Sequence, residues 1–289
     1  MSTDLVVIYS PVGGGHKSAA LAIAEAAKAR GLEVKVLDAF DYAPKLLGEA
    51  YVRAHLTGQA AFPELYGTAY FAANRRGGKS EVLRRGFDHV AFGNLVNEVR
   101  DLAPRAIVAT HHLPLVVLGR ARRRGILSVP LLGVVTDYTA HAHWAEKGVD
   151  GFCVACPLAH RELLAHGVDR ERIAMTGIPI RSAFSRANAV LDPGPGEPLR
   201  VLLTNGGFGV GPIRAILRSF AGIPNVALTV VCGNAPAVAL RVTRYARRFG
   251  LDAKIIGFEH DMASRVSEAQ VVVGKAGGLT VSETLAAGR

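Results

Sequence analysis

The chain has 289 residues, 49% of them hydrophobic, and carries 34 Lys and Arg against 24 Asp and Glu for a net charge of +10. That length and apolar content suit a globular protein of two domains, each with its own core, and the basic excess suits a phosphate-rich partner, nucleic acid or anionic lipid, as well as a plain solvated surface. Three cysteines, odd in number and without framework spacing, point to a reducing compartment, and neither a membrane-spanning apolar run nor a signal-peptide pattern stands out, so a cytosolic or membrane-peripheral protein is expected.

The first predicted strand is the β-branched run Leu5–Tyr9. It leads into SPVGGGHKSAA, residues 10–20, where three glycines precede Lys17-Ser18 as in a phosphate-binding P-loop. A P-loop needs glycine directly before its lysine, so that backbone amides wrap the phosphates, and here His16 occupies that place. The alanine-rich run that follows has helical spacing, which makes the glycines a strand-to-helix turn and puts His16 at or near the helix start. The macrodipole there disfavours imidazolium and keeps the ring neutral, able to accept a proton near pH 7. His16 is therefore a candidate base; a capping or loop-filling histidine is the plain alternative.

A second strand is predicted at Glu33–Leu37. Between Asp38 and Pro104 the strand rhythm stops and aromatic, apolar and basic residues mix; an insertion of this length is usually functional. Arg75, Arg76, Lys79, Arg84 and Arg85 lie in it, and with Arg120, Arg122, Arg123 and Arg124 they gather the local basic charge. The stretch Leu46–Arg85 is expected to lie on the cytoplasmic face of an anionic bilayer. Further strands are predicted at Ala106–Ala109, Pro130–Val135, Gly151–Val154 and Ile173–Thr176.

Strand–helix alternation implies an α/β, doubly wound, mostly parallel domain over residues 1–177. Gly and Pro then break the periodicity and mark a linker over 178–198. A second α/β series fills 199–289, with strands in LRVLLTNGGFG, VALTVVCG, AKIIGF and VVVG. Two such domains would face a cleft at the carboxyl ends of their strands, where ligands bind. Gly277 and Gly278 open a helix after one strand, and Gly206, Gly207 and Gly209 form a second loop of the same type; such loops offer backbone amides to phosphate, though glycines at strand ends also serve close packing. Asp137, just past the strand LLGVVT, falls at the cleft edge. His141, His143, Cys153 and Cys156 spell H-x-H then C-x-x-C, a possible zinc set. Cys153 lies inside an apparent strand whose alternation does not converge it with Cys156, and core thiols are the better reading.

Five stretches in order, GGGHKSAA, GVVTDYTAHAHWAEKGVDGFCVACP, TGIPI, NGGFGVGP and GFEHDMASRVSEAQVVVGKAGGLTVSETLAAG, resemble the monogalactosyldiacylglycerol synthase and processive diacylglycerol glucosyltransferase group of glycosyltransferase family 28, over nearly the whole chain. More distantly the chain is similar to the transferase that adds N-acetylglucosamine to the peptidoglycan lipid precursor. The resemblance implies a GT-B fold, with an N-terminal acceptor domain, a C-terminal UDP-sugar domain, and inverting transfer of a hexose to a lipid such as diacylglycerol. It implies no catalytic metal and no cofactor, the UDP-sugar being the donor substrate. It makes His16 the base, sets Gly14, Gly15, Asp137, His141 and Trp144 on the acceptor side, and gives Gly206, Gly207, Gly209, Gly277 and Gly278 to the UDP-sugar. Glu283 would hold the nucleotide ribose, and Phe258 matches the position beside the uracil, with a plain core aromatic as its alternative reading. The partners it implies are a UDP-sugar, a lipid acceptor and an anionic membrane surface, not nucleic acid, for a cytoplasmic protein peripheral on the inner face of the cell membrane.

One departure stands out. The sequence stops at LAAGR, about where relatives continue with further strands, a loop of polar donors for the sugar and a terminal helix. The second domain therefore reads as truncated, with weak UDP binding and little or no transfer expected of these residues and a marked gain on adding the missing segment. Two other function classes stay open. A UDP-sugar 2-epimerase has a similar fold but does not need the aromatic and basic insertion, and a noncatalytic protein would bind nucleic acid or membrane through its basic face alone.

Overall fold

The computed structural model describes residues 3–46, 48, 50, 92–185, 193–204, 212–234 and 236–289. The chain splits into two compact units, Met1–Ile180 and Arg181–Arg289. The first unit holds a six-stranded sheet in the order β2-β1-β3-β4-β5-β6, from β1 Leu5–Tyr9, β2 Val34–Asp38, β3 Ala106–Ala109, β4 Leu131–Val134, β5 Gly151–Val154 and β6 Ile173–Met175. All its strand pairs are parallel. A parallel sheet is covered on both faces, so its strands are apolar along their length rather than alternating; Val6, Val7 and Ile8 are all fully buried.

The helix Gly14–Lys28 follows β1 and buries Ala19, Ala20, Ala22, Ala24 and Ala27. Alanine is the best helix former, and its short side chain lets the helix lie close to the sheet. The helix His112–Arg123 buries Leu113, Leu115, Val117 and Leu118 in one core with Leu131, Trp144 and Phe152, to which Phe92, Leu95 and Val99 of the helical residues 92–102 also belong. A Cβ at Gly148 would overlap the carbonyl of Gly119, so the segment after the turn Ala142–Trp144 rests directly on that helix. Arg122 fastens it through Asp150 at 2.6 Å and the Gly148 carbonyl at 2.6 Å, and Arg123 through Glu146 at 2.9 Å. Two of the arginines expected on a phosphate-attracting face are thus neutralised by carboxylates of their own unit. The expected membrane-facing stretch, with Arg75, Arg76, Lys79, Arg84 and Arg85, lies outside the described residues apart from Leu46, Gly48 and Ala50. Among the described residues no helix is long and apolar enough to cross a membrane.

The second unit holds a four-stranded sheet ordered β10-β7-β8-β9, from β7 Leu199–Thr204, β8 Val226–Val231, β9 Ala253–Ile256 and β10 Val271–Gly274, again all parallel. Its core gathers Val201, Leu203, Leu217, Leu228, Val230 and Val242. The short helix Ser182–Ser185, within the stretch expected as linker, packs against the helices Met262–Glu268 and Gly278–Ala286, and its Phe184 is fully buried. Chain order reverses between β1 and β3 in the first sheet and between β7 and β10 in the second. At such a reversal the outgoing loops diverge and leave a crevice at the carboxyl edge.

Candidate active site

His16 is the third residue of the helix Gly14–Lys28. The N-cap Gly13 has φ 86°, a left-handed backbone that glycine adopts without strain. No side chain caps this helix, and Gly14 and Gly15 place none over its first turn, so the leading N–H groups are not covered by a capping side chain.

Because β1, β3 and β4 are neighbours, the ends of β3 and β4 arrive beside His16 from distant sequence. Its Nδ1 lies 2.9 Å from the Thr110 carbonyl oxygen and 2.7 Å from the Thr136 hydroxyl. A carbonyl oxygen only accepts, so Nδ1 carries the proton and donates. The Thr136 hydroxyl then accepts from the same N–H and turns its own proton toward the Thr110 carbonyl, 3.5 Å away. In the neutral ring this leaves the lone pair on Nε2, the nitrogen that can take a proton. Thr110 is itself fixed, its N–H donating to the Ile8 carbonyl at 2.9 Å and its hydroxyl to the His16 carbonyl at 2.9 Å. Both threonines are buried, whereas His16 keeps part of its surface exposed. Burial pushes the pKa of His16 below its ordinary 6.5, against the opposing charge of Asp137 and the bond to the Thr110 carbonyl. The ring is neutral near pH 7 and already ordered for proton capture.

His111 stands edge-on to His16, the ring centroids 4.5 Å apart. Its Nδ1 accepts from the Leu113 N–H at 3.2 Å as N-cap of the helix His112–Arg123, which puts its own proton on Nε2. His141 caps the turn Ala142–Trp144 in the same way, accepting from the His143 N–H at 3.2 Å. Protonating Nδ1 of either ring would remove its cap. Asp137 is exposed on the loop after β4, while His141 and Trp144 are 5% and 3% exposed, with Trp144 edge-on to His112 at 6.2 Å. Cys156 donates to the Tyr138 carbonyl and Cys153 packs against the cluster around Val7 and Tyr9. Among the described residues no three His, Cys, Asp or Glu side chains converge on a point that could hold a metal ion, so the H-x-H and C-x-x-C residues do not assemble into one site.

In the second unit the helix Gly278–Ala286 starts a few residues after β10 with Gly277 as N-cap and no capping side chain. A Cβ at Gly274 would overlap the Thr204 carbonyl, which ties β10 closely to β7 beneath that helix end. Glu283 lies in the second turn, its pKa pushed up to about 7 by burial against the opposing charge of Arg181. Phe258, on the loop after β9, is 47% exposed and edge-on to His260 at 4.8 Å. Gly206, Gly207 and Gly209 lie outside the described residues.

A match to the family described as "Monogalactosyldiacylglycerol (MGDG) synthase" spans residues 16–180, the first unit from His16 onward. The chain belongs to the monogalactosyldiacylglycerol synthase family. A second match, to the glycosyltransferase family 28 C-terminal domain, spans residues 213–289. Among curated relatives, a processive diacylglycerol beta-glucosyltransferase from Bacillus mycoides (strain KBAB4) is 24% identical over 290 aligned positions, covering 98% of this chain and 74% of that protein. One of the same name from Bacillus cytotoxicus is also 24% identical, with the same coverage. The fold is that of GT-B glycosyltransferases. MurG of Acinetobacter baumannii superposes with a TM-score of 0.57 at 18% identity, over 97% of this chain and 74% of that one. Anabaena HepE in complex with UDP and glucose gives 0.54 at 15% identity, over 98% and 79%.

Within this family member, Thr110, Thr136 and His111 are what sequence reasoning missed. A threonine ending an apolar strand carries no periodic signal, and the only hint was that THH and TD fall directly at strand carboxyl ends. The geometry makes Thr136 a positioning residue for His16. Thr136→Val removes one of two acceptors from Nδ1–H and so destabilises the imidazolium relative to the neutral ring. The His16 titration followed by NMR is expected to move to lower pH in Thr136→Val and to return in Thr136→Ser. An unmoved titration in the valine variant would show that the contact is packing only.

Proposed function

We propose that the protein is an inverting, metal-independent glycosyltransferase that moves a hexose from a UDP-sugar to a lipid alcohol such as diacylglycerol at an anionic membrane surface. The observation that carries the reading is the His16 constellation: a histidine at an uncapped helix start, ordered by Thr110 and Thr136 so that its neutral form exposes a lone pair on Nε2. A hydroxyl acceptor must lose its proton as it attacks the anomeric carbon, and Nε2 of His16 receives it. The positive charge so formed on the imidazole is shared with the two oxygens at Nδ1 and compensated by Asp137. Gly14 and Gly15, and the loop from Asp137 to Trp144, form the acceptor side.

UDP leaves from the opposite face of the anomeric carbon with negative charge growing on its diphosphate. The amides at the start of Gly278–Ala286, opened by Gly277 and Gly278, and the loop of Gly206, Gly207 and Gly209 neutralise that charge without a cation. Glu283 accepts from the ribose hydroxyls, and Phe258 stacks beside the uracil. The names of the curated relatives support this choice of acceptor and sugar. The UDP-sugar 2-epimerase reading keeps one support, since the epimerase of Neisseria meningitidis shares the fold with a TM-score of 0.53 at 10% identity; it has no use for a base aimed at a lipid hydroxyl.

Product analysis tests the proposal. With α-linked UDP-hexose and diacylglycerol the expected product is the β-glycoside, formed at the same rate with a chelator present. An α-glycoside, or a rate abolished by the chelator and restored by a divalent cation, would refute inversion or metal independence respectively.

A further inference from the structure

From Pro198 to Leu251 the sequence contains no Asp or Glu, yet it contains Arg200, Arg214, Arg218, Arg241, Arg244, Arg247 and Arg248. All but Arg200 lie on two helices of the second unit, Ile213–Ser219 and Pro236–Arg248, which pack together and are joined by the Arg214 guanidinium over the Tyr245 ring at 5.9 Å. The longer helix buries Val238, Val242 and Ala246, and this spacing of four turns Arg241, Arg244, Arg247 and Arg248 outward, where all are exposed, as are Arg214 and Arg218. None of these six forms an ion pair with a described residue, unlike Arg122 and Arg123 in the first unit. Asp252, the first acidic residue beyond the helix, is matched by Lys254 two residues on.

Amid these charges Leu240 stands 66% exposed, one turn before Arg244, with exposed Pro236 and Ala237 in the turn before it. A solvated basic face gains nothing from an unburied leucine there. A lipid interface does, because phosphate headgroups take the guanidinium groups in bidentate contact while the apolar side chain enters the acyl boundary. Duplex nucleic acid would use the arginines but leave Leu240 in water.

We propose that this face of the second unit, Arg214, Arg218, Arg241, Arg244 and Arg248 around Leu240, docks on an anionic bilayer, so that the donor-binding half carries its own membrane contact. The inference rests on the reading that the protein works at a membrane but names a surface other than the stretch Leu46–Arg85. The test is sedimentation of the whole chain with phosphatidylcholine vesicles, with mixed phosphatidylcholine–phosphatidylglycerol vesicles, and with duplex DNA, at low and raised salt. Binding to the mixed vesicles, weakened by salt and exceeding binding to DNA, is expected.

Arg241→Glu/Arg244→Glu/Arg248→Glu should lower that binding by on the order of a hundredfold or more, since each cation near such a surface contributes roughly fivefold. Replacing the same three by Gln should give a smaller loss in the same direction, and Leu240→Ser a loss that raised salt does not mask. These positions are exposed, and unchanged thermal melting shows that the variants are folded. Equal vesicle binding by wild type and both triple variants overturns the proposal, as does DNA binding that matches or exceeds vesicle binding and falls with the same substitutions. If instead Arg75→Glu/Arg76→Glu/Lys79→Glu alone abolishes vesicle binding, this surface is refuted while the membrane reading stands. If no vesicle binds the wild type, both fall.

Discussion

His16→Ala is expected to lower turnover by about a hundredfold to ten-thousandfold, the usual range for loss of a general base, in protein competent for transfer, while leaving UDP affinity nearly unchanged. In the proposed mechanism the side chain acts on the acceptor proton in the transition state, so its loss should appear in kcat and kcat/KM together and not in donor binding. The pH profile carries a second signature. Burial holds the folded pKa of His16 below 6.5, so the acidic limb of kcat/KM should lie below that value, and Asp137→Asn, which removes the opposing carboxylate charge, should move it lower still. Full turnover in His16→Ala, or joint loss of UDP binding and turnover, would reassign the residue to structure or to the donor phosphates.

The second large effect is expected at Glu283. A carboxylate accepting from two ribose hydroxyls makes charge-assisted bonds worth roughly 1.5–3 kcal/mol each, and Glu283→Gln should weaken UDP by about tenfold to a hundredfold. Its pKa of about 7 gives the pH dependence a sign. If Glu283 holds the ribose as proposed, donor binding requires the ionised form, so UDP affinity should rise as pH climbs through 7, with proton release on binding below it, and the glutamine variant should lose that part of the dependence. Stability runs the other way. The folded-state pKa is raised above the ordinary 4.5, so the folded protein binds the extra proton between those values; the stabilisation is present below 4.5 and lost as pH rises to about 7. Glu283→Gln should therefore raise the melting temperature of the unliganded protein at pH 8 and flatten its fall between pH 5 and pH 8. A variant that binds UDP as tightly as wild type would remove Glu283 from the donor site.

The strands were legible almost to the residue, because a strand buried on both faces is a contiguous apolar run bounded by Gly, Pro or polar residues. Predicted Leu5–Tyr9, Ala106–Ala109 and Gly151–Val154 coincide with β1, β3 and β5. What joins them was not legible. Thr110 and Thr136 reach His16 only because β3 lies between β1 and β4, and strand order leaves no trace in any single run of residues. Trp144, which the family resemblance sets on the acceptor side, is 3% exposed in the fold, because the turn Ala142–Trp144 packs on the helix His112–Arg123, a contact that the run TDYTAHAHW alone does not show. Charge is legible only as adjacent runs: among the arginines at Arg120–Arg124, Asp150 and Glu146 answer two, a pairing that linear sequence does not show, while the acid-free stretch from Pro198 to Leu251 spaces its arginines by helical turns.

The most direct test follows labelled hexose from UDP-glucose or UDP-galactose offered with diacylglycerol in phosphatidylglycerol-containing vesicles. Label should appear in a glycolipid, and be lost from it in His16→Ala with UDP binding retained. Label confined to an epimerised nucleotide sugar, or none in lipid, would mean that the protein is not the proposed lipid glycosyltransferase.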